Sequence, residues 1–228
     1  MRPVGILLPV LIWAGFGLLL PAAASASQAA GREWRFAVTL DGSPIGEHAF
    51  RLVDRGDEIE VDSRASFNVR FLGFSVYSYE HHAKERWKGG CLASLESRTD
   101  DNGDIEVVKG ELASEGFRVT QGGKTTLLPA CTMTFAYWNP AMRGQSRLLN
   151  PQTGDYLDIT IASEAEAKPG DGSPTGDAVR YVIRGKNLEV VLWYRKPDDG
   201  WLALDSRTSR GSLLSYRRRR DGRSVPGP

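Results

Sequence analysis

The side chains best suited to acid–base or metal chemistry near neutral pH are the three histidines, His48, His81 and His82. His81 and His82 are neighbours, and in an extended strand neighbouring side chains leave opposite faces, so the two cannot grip one metal ion together. Either one joins His48 or Glu80 only if the tertiary fold brings them close. The serines carry no stronger signal. A serine nucleophile needs a base and an oxyanion hole, the chain has no G-x-S-x-G, and Ser75 and Ser146 have no recognisable support around them. Asp100-Asp101-Asn102-Gly103-Asp104 lacks the length and the terminal glutamate of a calcium loop and reads as a hairpin turn. These patterns predict no catalytic residue, no metal ligand and no cofactor.

The aromatic side chains are more informative. Phe67, Phe71, Phe74, Tyr77, Tyr79 and Trp87 cluster in one stretch, and Phe135, Tyr137, Trp138, Trp193, Tyr194 and Trp201 lie further on. In a closed sandwich they fill the core. In an open, curved sheet they line a concave apolar groove, for which Phe67, Phe71, Tyr77, Tyr79, Trp87 and Trp138 are the candidate ligand-binding residues.

The element that must position them runs from Glu58 to Trp87. Ile59, Val61, Ala65, Phe67, Val69 and Phe71 share one parity, with Ser63 the single polar exception. Glu60, Asp62, Arg64, Ser66, Asn68 and Arg70 take the other. Period 2 sends these sets to opposite faces of a strand, one toward a core and one toward water. Gly73 turns the chain into a second long strand. Strands this long normally curve, because large flat sheets are rare.

The rest of the chain repeats the pattern. Short alternating runs are separated by turns at Asp41–Pro44, Lys88–Gly90, Gly122-Gly123, Asn150–Gly154, Gly185–Asn187 and Asp198–Gly200. Gly46 inside the second run predicts a bulge or a close backbone approach. The exception is Cys131 to Leu149, a loop with a short helical turn around Pro140 to Arg143, set to plug or cover the concave side. The prediction is an all-β domain over residues 27–228. It is built as one strongly curved antiparallel sheet, a half-barrel or β-roll, with a helical or loop insert near 131–149. A two-sheet β-sandwich is the alternative. Residues 167–177, rich in Gly and Pro, form a flexible surface loop, and the arginine-rich residues 217–228 form a basic C-terminal tail.

The N-terminus reads as a targeting segment. Arg2, the apolar run Ile6 to Leu20 and Ala24-Ser25-Ala26 match a signal peptide over residues 1–26, and the run is shorter than the roughly 20 residues of a membrane span. Export to the periplasm, or secretion, is the expectation, with no membrane-spanning segment after cleavage. The first 26 residues hold one basic side chain and no acidic one, so cleavage leaves 28 basic against 28 acidic groups. A neutral chain has no general drive toward nucleic acid. In an exported chain the even cysteine count predicts one disulfide, Cys91 to Cys131.

Several longer runs carry a family resemblance. They are Arg70-Phe71-Leu72-Gly73-Phe74-Ser75-Val76-Tyr77-Ser78-Tyr79, Glu85-Arg86-Trp87-Lys88-Gly89-Gly90, Trp138-Asn139-Pro140, Leu148-Leu149-Asn150-Pro151-Gln152-Thr153-Gly154 and Leu192-Trp193-Tyr194. Together they resemble a family of uncharacterised exported bacterial proteins, a domain of unknown function, over most of the chain. That resemblance implies no activity. A more distant fold likeness is to periplasmic lipoprotein-carrier half-barrels, in which a curved antiparallel sheet wraps an apolar cavity. The expected function is non-catalytic: holding a lipid, another amphiphile or an envelope protein on the concave face. An envelope enzyme acting on lipid or glycan is a second expectation, to be recognised by His48, His81, Glu85 or Asn139 converging in one cleft. A structural or assembly factor is a third.

Overall fold

A computed structural model of the chain describes residues 31–72, 74–164 and 177–219. The expected signal peptide, Gly73, nearly all of the 167–177 loop and residues 220–228 lie outside the described residues. In chain order the strands are β1 (Gly31–Leu40), β2 (Ser43–Asp54), β3 (Glu58–Phe71), β4 (Phe74–Lys88), β5 (Cys91–Asp101), β6 (Asp104–Ala113), β7 (Gly116–Gln121) and β8 (Lys124–Leu128). After a 3-10 turn at Pro140–Gly144 come β9 (Arg147–Leu149), β10 (Tyr156–Glu164), β11 (Ala178–Gly185), β12 (Leu188–Arg195), β13 (Gly200–Arg207) and β14 (Leu213–Arg218).

All fourteen strands form one antiparallel sheet in the order β8-β7-β6-β5-β4-β3-β2-β1-β14-β13-β12-β11-β10-β9. Every neighbour but one is a consecutive hairpin. The exception is β1 with β14, whose pairing of Val38 with Tyr216 joins the two halves of the meander. The sheet is not closed, and β8 and β9 are its edges. It is a single rolled sheet, not a two-sheet sandwich. Register shifts at Val38/Thr39, Val69/Arg70, Arg86/Trp87 and Trp193/Tyr194 bend the long strands, as bulges do when a sheet must curl. The rolling brings Phe67 on β3 to 6.1 Å from Tyr216 on β14, three strands away in the sheet order.

The alternation along β3 appears as expected. Val61, Ala65 and Phe67 are buried, Arg64, Ser66 and Asn68 are exposed, and Ser63 is buried at 9 % exposure. The strands share one core in which Phe36, Leu52, Leu92, Leu95, Phe117 and Leu192 are fully covered. The bulge expected at Gly46 is also there. Val38 pairs with Gly46 and Thr39 with Pro44, so Ile45 is the extra residue, and a Cβ on Gly46 would stand 2.0 Å from the Ser66 carbonyl oxygen. That neighbour is backbone in a paired strand and cannot swing aside. Gly46→Ala is therefore expected to lower stability by about 2 kcal/mol, read as a shift in the urea midpoint at unchanged slope.

The segment from 129 to 146 leaves the β8 edge and crosses the inside of the roll to begin β9 at the far edge. It is the expected insert, with its helical part confined to the 3-10 turn and its last residues, 147–149, drawn into β9. Asn139 caps that turn by accepting from the Ala141 N–H at 3.0 Å, with Pro140 at the first helical position. Thr132, Met133, Thr134, Ala136 and Met142 are buried, so the segment is a plug and not a surface lid. It is fastened at both ends. The Cys91–Cys131 disulfide ties its start to β5 across a sequence separation of 40. Arg143 clamps its end, donating to both carboxylate oxygens of Asp199 at 3.0 and 2.9 Å, with its guanidinium over the Tyr181 and Tyr194 rings.

The first arginines of the expected basic tail belong to the sheet. Arg217 and Arg218 close β14, where Arg217 pairs with Asp205 and lies over the Trp193 ring. The extended pattern simply continues past Tyr216. Among the described residues no helix is long and apolar enough to cross a membrane.

Candidate functional site

A partly open cavity of about 280 Å³ lies between the inner faces of β2–β4, those of β12–β14 and the plug. Its walls are mainly apolar and aromatic: Phe50, Tyr137, Trp138, Trp201 and Tyr216, with Leu157, Leu188 and Leu204. Its polar groups come from inward-facing strand positions that break the apolar alternation. These are His48 on β2, Ser63 on β3, His81 and Glu85 on β4, and Ser206 on β13, with Asn150 and Gln152 from the turn after β9.

Strand register explains why these groups meet. His48 lies opposite Ala65, Ala65 opposite His81, and His81 opposite Thr99. One row further along, Phe50 faces Ser63, Ser63 faces Ala83 and Ala83 faces Ser97. Small alanines between the polar residues leave room for their side chains. His48 Nε2 is 2.8 Å from Ser63 Oγ, and His81 Nδ1 is 2.9 Å from Thr99 Oγ1. Thr99 in turn donates to the Gln152 carbonyl and Ser97 to the Pro151 carbonyl, so β5 anchors the turn that forms one cavity wall. With its proton given to Gln152, the Thr99 hydroxyl accepts from His81 Nδ1–H, which leaves His81 Nε2 as an acceptor.

Enclosure sets the charge of the site. Burial, with the His81 ring nearby, lowers His48 from 6.5 to about 3. Burial, with His82 behind it, lowers His81 to about 4. Both rings are neutral at neutral pH. Burial raises the Glu85 carboxyl from 4.5 to about 7, although the Trp87 indole N–H donates to it at 2.9 Å. The buried Thr134 hydroxyl approaches the same carboxyl without reaching regular hydrogen-bond geometry and has no other partner. Tyr137 and Tyr216 are held well above their ordinary values by burial and keep their protons.

The aromatic candidates take different places. Trp138 lines the cavity, and Trp87, 2 % exposed, packs edge-on behind it at 5.5 Å. Phe67 and Tyr79 stack on each other at 5.3 Å, beside the cavity and beyond His48 and His81. Tyr77 is further out on β4, its hydroxyl pushed up by burial and by Asp101. The Phe71 side chain lies outside the described ones. Of the polar groups proposed to mark a cleft, His48, His81 and Glu85 line this cavity, whereas Asn139 is spent on capping. Adjacent His82 faces outward and pairs with Asp62 at 3.0 Å. Among the described residues no group of three His, Cys, Asp or Glu side chains could hold a metal ion. Ser63 was missed as a site residue, yet its signal was present: one polar side chain on an otherwise apolar parity.

A family model described as a domain of unknown function, DUF6134, matches residues 36–219. No curated protein matches the chain. Among solved structures, the chain is similar to the crystal structure of a beta-barrel-like protein of domain of unknown function DUF1849 from Brucella abortus. The TM-score is 0.61 at 11 % identity, over 84 % of this chain and 96 % of that one. At such identity the likeness is one of fold.

Proposed function

The chain belongs to the DUF6134 family of unknown function, and we propose that it is a non-catalytic binding protein of the bacterial envelope that holds a small amphipathic molecule inside its rolled sheet. The observation that carries this reading is the cavity itself. It has aromatic walls, a few convergent polar groups and the size of a small ligand site. A core built only for stability would close over that space, since leaving it empty forfeits packing on every wall. The plug fits the role as well. It is held at both ends, by the disulfide and by Arg143, and its middle residues form one wall of the cavity. Export to the periplasm belongs to the same proposal, supported by the signal-like N-terminus and the disulfide.

A second reading, an envelope hydrolase, draws on the Ser63–His48 pair, which has the spacing of a nucleophile and its base. The surroundings favour binding. Ser63 sits mid-strand between β2 and β4, where backbone N–H groups serve the sheet ladder and are not free to cradle an oxyanion. Native mass spectrometry of the protein purified from its own envelope, followed by organic extraction, separates the readings. A stoichiometric amphiphile is expected. A clean apo mass combined with Ser63-dependent hydrolysis of p-nitrophenyl esters would replace binding by catalysis.

A further inference from the structure

We propose that the ligand carries a positive charge: an organic cation, such as a quaternary or protonated amine on an apolar chain, with its head against Glu85 and the aromatic walls. This inference rests on the binding reading above and names the ligand class for that same cavity. Glu85 is 8 % exposed and inward-facing, and its carboxyl accepts one hydrogen bond, from the Trp87 indole. Among the described residues no lysine or arginine lines the cavity. A buried carboxyl without a cation is an unstable arrangement unless it is neutralised or paired. The fold leaves it half-neutral at about pH 7 instead of supplying a partner. The missing partner is a cation, and the walls suit one. Trp138, Tyr137, Trp201 and Tyr216 line the cavity, and aromatic rings carry quadrupoles that attract ammonium groups.

The neighbouring titratable groups do not oppose such a ligand. His48 from β2 and His81 from β4 are neutral, and Tyr137 from the plug and Tyr216 from β14 remain protonated. Opposite Glu85 in the sheet stand Val61 on β3 and Leu95 on β5, both uncharged. Lys84 and Arg86, its chain neighbours, are exposed on the outer face together with Arg51 and Arg55, and Asp62, Glu60 and Glu96 accompany all four there. An anionic head would meet the Glu85 carboxyl with no compensating cation. A neutral head would leave that carboxyl as it is.

The test uses three probes with one chain length: octyltrimethylammonium, octanol and octanoate. Each is titrated into the purified protein by calorimetry, with the Trp138 and Trp201 fluorescence as a second readout. At pH 8 the ammonium is expected to bind at least tenfold tighter than octanol, and octanoate more weakly than octanol. Because the ammonium charge is fixed, a pH effect comes from the protein. Its affinity is expected to fall about tenfold from pH 8 to pH 6, as a carboxyl near 7 takes up its proton. In Glu85→Gln, with folding checked by near-UV circular dichroism, the ratio of ammonium to octanol affinity falls to about one and the pH slope disappears. If ammonium and octanol bind alike with no pH slope, the cation proposal is overturned while the cavity reading stands. If none of the three binds, both are overturned.

Discussion

Replacing Glu85 by glutamine is expected to raise stability by about 2–3 kcal/mol at pH 8 and to change it little at pH 5. The reason is proton linkage. The folded carboxyl holds its proton up to about pH 7, whereas in the unfolded chain it ionises near 4.5. Between those values the folded state binds more protons than the unfolded state. Stability therefore falls as pH rises through that window, at up to about 1.4 kcal/mol per pH unit, and the loss is complete above 7. Glutamine has no such loss, keeps an oxygen for the Trp87 N–H and brings an N–H for the orphaned Thr134 hydroxyl. The histidines act in the opposite direction. His48 and His81 are neutral when folded but protonate near 6.5 when unfolded, so stability falls as pH drops below 6.5 toward 4 and 3. Together the three groups place the wild-type maximum near pH 7, and the variant should climb more steeply toward that pH and then level off. Urea unfolding at half-unit steps from pH 5 to 8 reads this directly. Parallel curves for the two proteins would mean that Glu85 ionises freely in the fold.

The Cys91→Ser, Cys131→Ser double variant should lose about 3–4 kcal/mol, because the bridge closes a loop with a separation of 40 residues in the unfolded chain. For a domain of this size that is a fall in melting temperature on the order of 10 °C. A second consequence is local. The bridge fastens the start of the plug to β5, where the Leu92 N–H also donates to the Thr132 carbonyl at 3.1 Å. Amide exchange should therefore accelerate more in residues 129–136 than in β1 or β14. Thermal melts with and without reductant, followed by hydrogen exchange on the variant, check both. A loss under 1 kcal/mol would show that packing, the Leu92–Thr132 hydrogen bond and the Arg143–Asp199 pair hold the plug without the bridge.

Much of the fold was legible because its physics is local. The alternation of Ile59 to Phe71 identifies β3 and its inner face, and Gly46 marks a bulge, since each depends on residues a few positions apart. The 3-10 turn at Pro140–Gly144 follows from Pro140 after the capping Asn139. The candidate site was only partly legible. His81 and Glu85 could be seen to share a parity on β4, and Ser63 to be out of place on β3. Their meeting with His48 depends on the registers of β2 with β3 and of β3 with β4, which no single strand contains. The aromatic candidates divided for the same reason. Trp138 reached the cavity because the plug crosses the roll, whereas Trp87 is two positions from Glu85 and supports it from behind.

The amino-acid sequence alone determines an all-β chain of hairpins, the inner face of each long strand, the cysteines available for the bridge and a net charge near zero. Those are properties of period, turn chemistry and composition. The tertiary structure decides that β1 pairs with β14, that the sheet rolls without closing, and that the plug runs through its centre. It thereby decides which polar residues are enclosed together and which protons they keep. Burial and charge act through space, and distances through space are set only when strands far apart in the chain are brought side by side.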